Sequence, residues 1–216
     1  MRNIIFEDML GALLSMRTAL TTIVTPPLRA VTVNLDLEKE IYICHFFYDG
    51  PLDDYLSNLA SCAACEASKC WSCEGSCVQL DFPAPIPING ALAYLRKELG
   101  IAPPEIQLLP RCSIIIEDAY LSYAMQQALL GRVVPSLRAV AINVNEEKEI
   151  LYFYFYYDED VTEELLTLSK EAIAICKKVF PETFTSIEEI VFFPFPKRIP
   201  SVGGIRVYYR AESFHE

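Results

Sequence analysis

The chain contains LRAVTVNLDLEKEIYICHFFYD at residues 28–49 and LRAVAINVNEEKEILYFYFYYD at residues 137–158. The two stretches align without a gap, and 12 of their 22 positions are identical. In each stretch, two runs rich in β-branched and aromatic residues flank a short polar segment, and this pattern predicts a β-hairpin. The chain of 216 residues is therefore predicted to contain an internal repeat, with the same hairpin at the centre of each copy.

The similarity between the copies extends in both directions from the hairpins. The further matching segments are Phe6–Asp8 with Ile116–Asp118, Phe82–Pro87 with Phe195–Pro200, and Tyr94–Glu98 with Tyr208–Glu212. The sequence predicts a first repeat at residues 1–98, a proline-rich linker at residues 99–112 and a second repeat at residues 113–216. Each repeat has the size of a small domain. Residues 62–77 are interpreted as a cysteine-rich insert of the first repeat.

Each repeat is predicted to have the element order α-β-β-α-β-β. The expected helices are residues 6–20, 52–69, 116–130 and 161–180, where apolar residues recur at helical spacing or acidic residues favour a helix start. The expected strands are residues 28–35, 40–48, 78–82, 92–96, 137–144, 149–157, 187–193 and 205–210. This order predicts an α+β fold in which each repeat forms a four-stranded, mainly antiparallel sheet with helices on one face. The two repeats are expected to pair as an internal pseudo-dimer.

The strand Leu151–Tyr157 alternates two sets of aromatic side chains. Leu151, Phe153 and Phe155 share a face with Tyr157, since side chains alternate across a strand, and this face is expected to be core. The opposite face carries Tyr152, Tyr154 and Tyr156. Three interpretations remain open for the tyrosine face: burial against the other repeat, a surface for a protein partner, or a ligand pocket. Tyrosine suits partner binding because its large rigid ring ends in a polar group.

Five of the eight cysteines form the cluster Cys62-x2-Cys65-x4-Cys70-x2-Cys73-x3-Cys77. Cys62, Cys65, Cys70 and Cys73 form two Cys-x2-Cys pairs, which can supply four thiolates to a tetrahedral Zn²⁺ ion. The four residues between the pairs are fewer than the dozen or so usual in zinc sites. Free or oxidised thiols, zinc, an iron–sulfur cluster and redox chemistry all remain open. No cofactor is expected, with Zn²⁺ as the alternative.

Charge and composition exclude several classes of function. The formal charge is −11, from 18 basic and 29 acidic residues, which argues against nucleic acids and anionic membranes as ligands. No run reaches the roughly 18 uncharged apolar residues of a membrane span, and the first residues do not resemble a secretory signal. A cytoplasmic location is expected. With only two histidines and no nucleotide-binding or hydrolase motif, the chain is not expected to be an enzyme.

Both repeats resemble a group of small bacterial proteins that carry a Leu-Arg-Ala-Val strand, an aromatic strand ending in Tyr-Asp, and a Phe-Pro…Ile-Pro turn. In this chain the first of these motifs is Leu28–Val31 and Leu137–Val140. That group resembles the immunity-type proteins that accompany bacterial toxins. The resemblance implies a protein that binds a partner and has no catalytic residues.

The leading hypothesis is therefore a non-enzymatic binding module that sequesters a basic protein, with a toxin domain as the expected partner. An acidic surface steers and then covers a basic cleft. The candidate contact residues are Asp49, Asp53, Asp54, Tyr152, Tyr154, Tyr156, Asp158, Glu159, Asp160, Glu163 and Glu164. The alternative is a zinc- or thiol-dependent regulatory module centred on Cys62–Cys77.

Overall fold

The computed structural model describes residues 2–20, 23–68, 71–98, 118–201 and 204–210. It divides the chain into two compact units, Met1–Arg96 and Lys97–Glu216. The predicted linker at residues 99–112 lies outside the described residues. Within the described residues, no helix combines the length and apolar character that a membrane span requires. The pairing of the two units as a pseudo-dimer stays a prediction.

Both units have the predicted element order α-β-β-α-β-β. The first unit consists of α1 (Arg2–Leu20), β1 (Leu28–Asp36), β2 (Ile41–Tyr48), α2 (Asp54–Ala67), β3 (Ser72–Gln79) and β4 (Ala91–Leu95). The second unit consists of α3 (Asp118–Leu129), β5 (Leu137–Asn145), β6 (Ile150–Tyr157), α4 (Glu163–Lys177), β7 (Thr185–Phe192) and β8 (Ile205–Tyr209). The α+β class and the repeated unit are confirmed.

Each unit contains one four-stranded sheet, and the two sheets have equivalent topologies. The strand orders are β3-β2-β1-β4 and β7-β6-β5-β8. The two hairpin strands are antiparallel in each sheet, and the last strand pairs antiparallel with the first. The third strand is parallel to the second and forms one edge. Both sheets are thus mainly antiparallel, as the sequence predicted.

Strand β3 begins at Ser72, six residues before the predicted start at Val78. The extra residues, Ser-Cys-Glu-Gly-Ser-Cys, have little intrinsic preference for strands. They are extended because all of β3 pairs in register with β2, from Ile41 with Ser72 to Tyr48 with Gln79. Cys73 and Cys77 consequently lie on a sheet strand, and Cys62 and Cys65 lie on α2.

The core of the second unit lies between its helices and one face of its sheet. Leu151, Phe153 and Phe155 of β6 are fully buried, and α4 buries a stripe of apolar residues that includes Leu168 and Ile173. The Tyr157 hydroxyl, on the same face, shares a hydrogen bond of 2.9 Å with the Ser169 hydroxyl. The predicted core face of the aromatic strand is therefore confirmed.

A buried arginine anchors the loop between the third and fourth strands of each unit. In the second unit Arg138 donates Nη1 to the Phe193 carbonyl at 2.7 Å and Nη2 to the Lys197 carbonyl at 2.9 Å. Arg29 makes the equivalent bonds to the carbonyls of Leu80 and Ala84. Each loop contains one cis Phe-Pro bond, at Phe82–Pro83 and Phe195–Pro196.

Candidate functional site

The second sheet has a face opposite the side that packs on the helices, which we term the open face; Ile187 and Glu189 at its β7 edge are exposed, whereas Ala139 and Ala141 at its centre are buried. Tyr152, Tyr154 and Tyr156 of β6 point to this face because they alternate with the buried Phe153 and Phe155. Their neighbours in register are Ile187, Glu189 and Val191 on β7, and Asn143, Ala141 and Ala139 on β5. The structure thus brings together the three predicted tyrosines, and it adds the exposed side chains of the edge strand β7.

One row across the open face carries a charge at each end. Pairing in register aligns Arg206 of β8 with Ala141, Ala141 with Tyr154, and Tyr154 with Glu189 of β7. Arg206 and Glu189 are both exposed, whereas Tyr154 is half-buried. The Arg206 guanidinium carbon lies 4.9 Å from the centroid of the Tyr209 ring, within cation–π range. Within the described residues Glu189 has no ion-pair partner.

The three tyrosines differ in their exposure. Tyr152 and Tyr154 are half-buried, whereas Tyr156 is only 2% exposed, and its ring lies edge-on to Phe193 with the centroids 5.9 Å apart. The Tyr156 hydroxyl has no hydrogen-bond partner among the described residues. Burial raises the pKa of Tyr156, and the nearby Glu189 and Tyr154 add to the increase. The pKa of Tyr154 is likewise raised by burial and then by Glu189 and Tyr152.

The corresponding face of the first sheet has a different chemistry. Its equivalent row consists of Leu92, Thr32, His45 and Ser76, none of which is a carboxylate, lysine or arginine. His45 Nδ1 and the Ser76 hydroxyl are 2.6 Å apart and form a hydrogen bond. The two open faces are therefore unequal, and only the second has tyrosine beside a carboxylate in this row.

Two of the predicted acidic contact residues have partners inside their own units. Asp49 contacts Arg96 at 3.2 Å, and Asp158 contacts Arg210 at 2.7 Å. Asp49 also accepts the Phe82 amide at 3.0 Å, and this hydrogen bond, with Arg96, lowers the pKa of the carboxyl. These interactions stabilise the fold where each hairpin ends.

The remaining acidic residues lie near the starts of α2 and α4. Asp53 caps α2 by accepting the Leu56 amide at 2.8 Å, whereas Thr162 caps α4. Acidic groups in the first turn also interact favourably with the helix dipole. Glu164 lies 3.6 Å from Lys97. The other exposed members of this set are Asp54, Glu159, Asp160 and Glu163.

Three of the described cysteines of the cluster, Cys65, Cys73 and Cys77, line a cavity between α2 and β3. Its volume is about 400 Å³, and its lining also includes Trp71. The Cys73 thiol donates to the Ala64 carbonyl, with 3.6 Å between sulfur and oxygen. Cys62 is exposed on α2, and Cys70 lies outside the described residues. Among the residues that the structure describes, no three histidine, cysteine or acidic side chains are placed to hold a metal ion.

Glu189 and Arg206 are the members of the tyrosine face that sequence reasoning missed. The predicted contacts were chosen along one strand and at helix starts, where spacing alone indicates a shared surface. Glu189 and Arg206 join the face only through the pairing of β7 with β6 and of β8 with β5. One signal was available in the sequence. Ile187, Glu189 and Val191 occupy every second position of a predicted strand, so they share one face.

The comparisons with known proteins concern the second unit. Residues 118–212 match the model of the MafI2 immunity protein family. No curated protein matches the chain. The matched segment begins at the first residue of α3 and extends past the end of β8, so it includes the whole open face. From its first helix to its last strand, the second unit of this chain is therefore similar to the MafI2 immunity protein family.

Proposed function

We propose that this chain is a protein-binding module of the immunity type, which neutralises a basic toxin domain in the bacterial cytoplasm without catalysing a reaction. The observation that carries the proposal is the family match over residues 118–212. The match spans every element of one unit, and the other unit has the same topology. The whole chain is thus proposed to present two immunity-type units.

The charge of the chain supports a basic partner. A formal charge of −11 attracts a basic surface over long distances and speeds its association. The exposed acidic residues near the start of α4, Glu159, Asp160 and Glu163, are proposed to contribute to this attraction. Asp49 and Asp158 are expected to act indirectly, because their carboxylates hold Arg96 and Arg210.

The test is neutralisation of a toxin domain encoded beside the gene for this chain. Co-expression of the full chain is expected to restore growth, and the purified proteins are expected to form a stable complex. The double variant Glu159→Lys/Asp160→Lys is expected to slow association about tenfold at low ionic strength, where steering is strongest.

The matched control is Glu146→Lys/Glu147→Lys, which makes the same change of net charge in the exposed turn between β5 and β6. It is expected to slow association much less. Equal slowing by the two variants would contradict the placement near α4. Failure of the wild-type chain to bind or neutralise the toxin would contradict the proposed function itself.

The second candidate function is a zinc- or thiol-dependent regulatory module at Cys62, Cys65, Cys70 and Cys73. The cavity lined by Cys65, Cys73 and Cys77 favours this function. The cavity has room because its lining includes small side chains such as Ala64 and Cys77. The second unit has Ile173 and Ile190 in place of Ala64 and Cys77.

A zinc site at the cluster predicts one Zn²⁺ ion per purified chain in native mass spectrometry. The ion should be lost in Cys73→Ser and retained in the control Cys176→Ser, because Cys176 is a buried thiol of the other unit. A wild-type chain that stays metal-free in excess zinc would contradict a metal role for the cluster.

A further inference from the structure

We propose that the open face of the second sheet binds an arginine side chain of the protein partner, between the Tyr154 ring and the Glu189 carboxylate. The inference rests on the proposed function in one respect, that the partner is a protein. It goes further by naming the surface and the chemical group that this surface recognises.

The first argument is the convergence of three oxygen acceptors. Tyr154 and Glu189 are partners on neighbouring strands, which lie about 4.8 Å apart in a sheet. Tyr156 lies two residues further along β6 and points to the same face. Burial raises the pKa of both phenols, and the Glu189 carboxylate adds to the increase. A guanidinium group has five N–H donors and no acceptor, so it complements such a set.

The second argument is the unpaired hydroxyl of Tyr156. Its oxygen is buried without a hydrogen-bond partner among the described residues, an arrangement that is unfavourable until a partner is supplied. The half-buried ring of Phe193 packs edge-on against the Tyr156 ring, with 5.9 Å between the centroids. An arginine bound to Glu189 carries further N–H groups that could satisfy the Tyr156 hydroxyl.

The third argument is the arginine–tyrosine stack already present on this face. Arg206 lies over Tyr209, with 4.9 Å between the guanidinium carbon and the ring centroid. The small Ala141, which is buried, lies between Arg206 and Tyr154 in this row. Three strand spacings, about 14 Å, separate Arg206 from Glu189, so Arg206 does not neutralise this carboxylate.

Arginine fits this surface better than lysine does. The planar guanidinium can stack on the Tyr154 ring and form two parallel hydrogen bonds with the Glu189 carboxylate. A lysine ammonium is a compact point charge and cannot do both with the same geometry. The first sheet, whose row is Leu92, Thr32, His45 and Ser76, has no equivalent site.

The direct test uses the peptide acetyl-Arg-Arg-Arg-amide as the probe and the full chain with isotope-labelled tyrosine rings. The NMR signal of the Tyr154 ring, assigned by its loss in Tyr154→Leu, is expected to shift and saturate as the peptide is added. The matching tri-citrulline peptide, which is uncharged, is expected to cause no saturable shift. Glu189→Gln is expected to weaken binding of the arginine peptide about tenfold.

The matched control is Glu188→Gln, which removes the same charge from the adjacent, exposed residue on the other face of β7. It is expected to change affinity less than twofold. Equal weakening by Glu188→Gln and Glu189→Gln would show unspecific attraction and overturn the inference. An absence of any Tyr154 shift in the wild-type chain would overturn it as well.

A second measurement separates this inference from the proposed function. If the wild-type chain neutralises the toxin and Glu189→Gln and Tyr154→Leu both bind it with unchanged affinity, the inference fails and the proposed function stands. If the wild-type chain binds the arginine peptide at Tyr154 but does not bind the toxin, the proposed function fails and the arginine site stands.

Discussion

Replacing Arg138 by methionine is expected to lower the free energy of unfolding of the second unit by about 3 kcal/mol. The methionine side chain fills much of the same volume, so the loss comes mainly from polar interactions. Without the guanidinium, the carbonyls of Phe193 and Lys197 lose their donors, which are now 2.7 and 2.9 Å away. The stacking of Arg138 on Phe195, at 5.7 Å from the ring centroid, is lost as well.

This effect is measured by urea denaturation, in which the NMR signals of labelled tyrosine rings in the second unit report its unfolding. The control is Arg206→Met, which removes the same charge from an exposed position and, with the loss of the contact to Tyr209, is expected to lower stability by at most about 1 kcal/mol. Arg138→Lys is expected to fall between the two, because one ammonium cannot reproduce the geometry of the guanidinium fork. An Arg138→Met chain that unfolds at the wild-type urea concentration would contradict the proposed anchoring role.

The anchoring by Arg138 also bears on the candidate site. Arg138 donates to the carbonyl of Phe193, and the Phe193 ring lies edge-on to the Tyr156 ring. The guanidinium carbon of Arg138 lies 5.9 Å from the centroid of that ring. A buried residue of β5 thus contacts the loop residue whose ring packs against Tyr156.

Sequence reasoning predicted the architecture well because the repeat shows it twice. The pattern in residues 28–49 and 137–158 contains both hairpins, and their strands lie within one or two residues of the predicted bounds. The alternation in Leu151–Tyr157 also separated the core face from the open face correctly. Such patterns are local, because the alternation of side chains along a strand can be identified without knowing which strands pair with it.

The features that sequence reasoning missed depend on pairing between distant segments. Strand β3 starts at Ser72 because β2 offers it a parallel partner, although its own residues favour other conformations. Arg96 and Arg210, at equivalent positions of the two units, form ion pairs with Asp49 and Asp158. Arg29 and Arg138 instead donate to loop carbonyls 55 residues away, which no spacing rule indicates.

The candidate site also combines a residue that its own strand identifies with residues that only the pairing of distant segments places. Tyr154 was identified from its own strand, whereas Glu189 belongs to the site only through the register of β6 with β7. Tyr156 packs against Phe193, which lies in the loop beyond the end of β7 and so could not be placed from the strand alone. The helix-start carboxylates matched a general rule for acidic surfaces, yet several of them have structural roles as caps or ion-pair partners.

Replacing Gly90 by alanine is expected to lower the free energy of unfolding of the first unit by about 3 to 5 kcal/mol. Gly90 has a φ of +105°, and a Cβ atom built there would lie 2.4 Å from the backbone carbonyl oxygen of Val33. The obstacle is backbone in the central strand β1, so the chain cannot relieve the contact by turning a side chain. The strain of the positive φ adds to this clash.

The matched control for this prediction is Gly50→Ala in the same unit. Gly50 also has a positive φ, +84°, but a Cβ atom there would meet nothing within 4 Å. The control is therefore expected to lose only the conformational strain, about 1 to 2 kcal/mol. The difference between the two variants in urea denaturation isolates the close approach of the chain to β1 just before β4. Equal destabilisation by the two substitutions would mean that the positive φ alone requires glycine at residue 90.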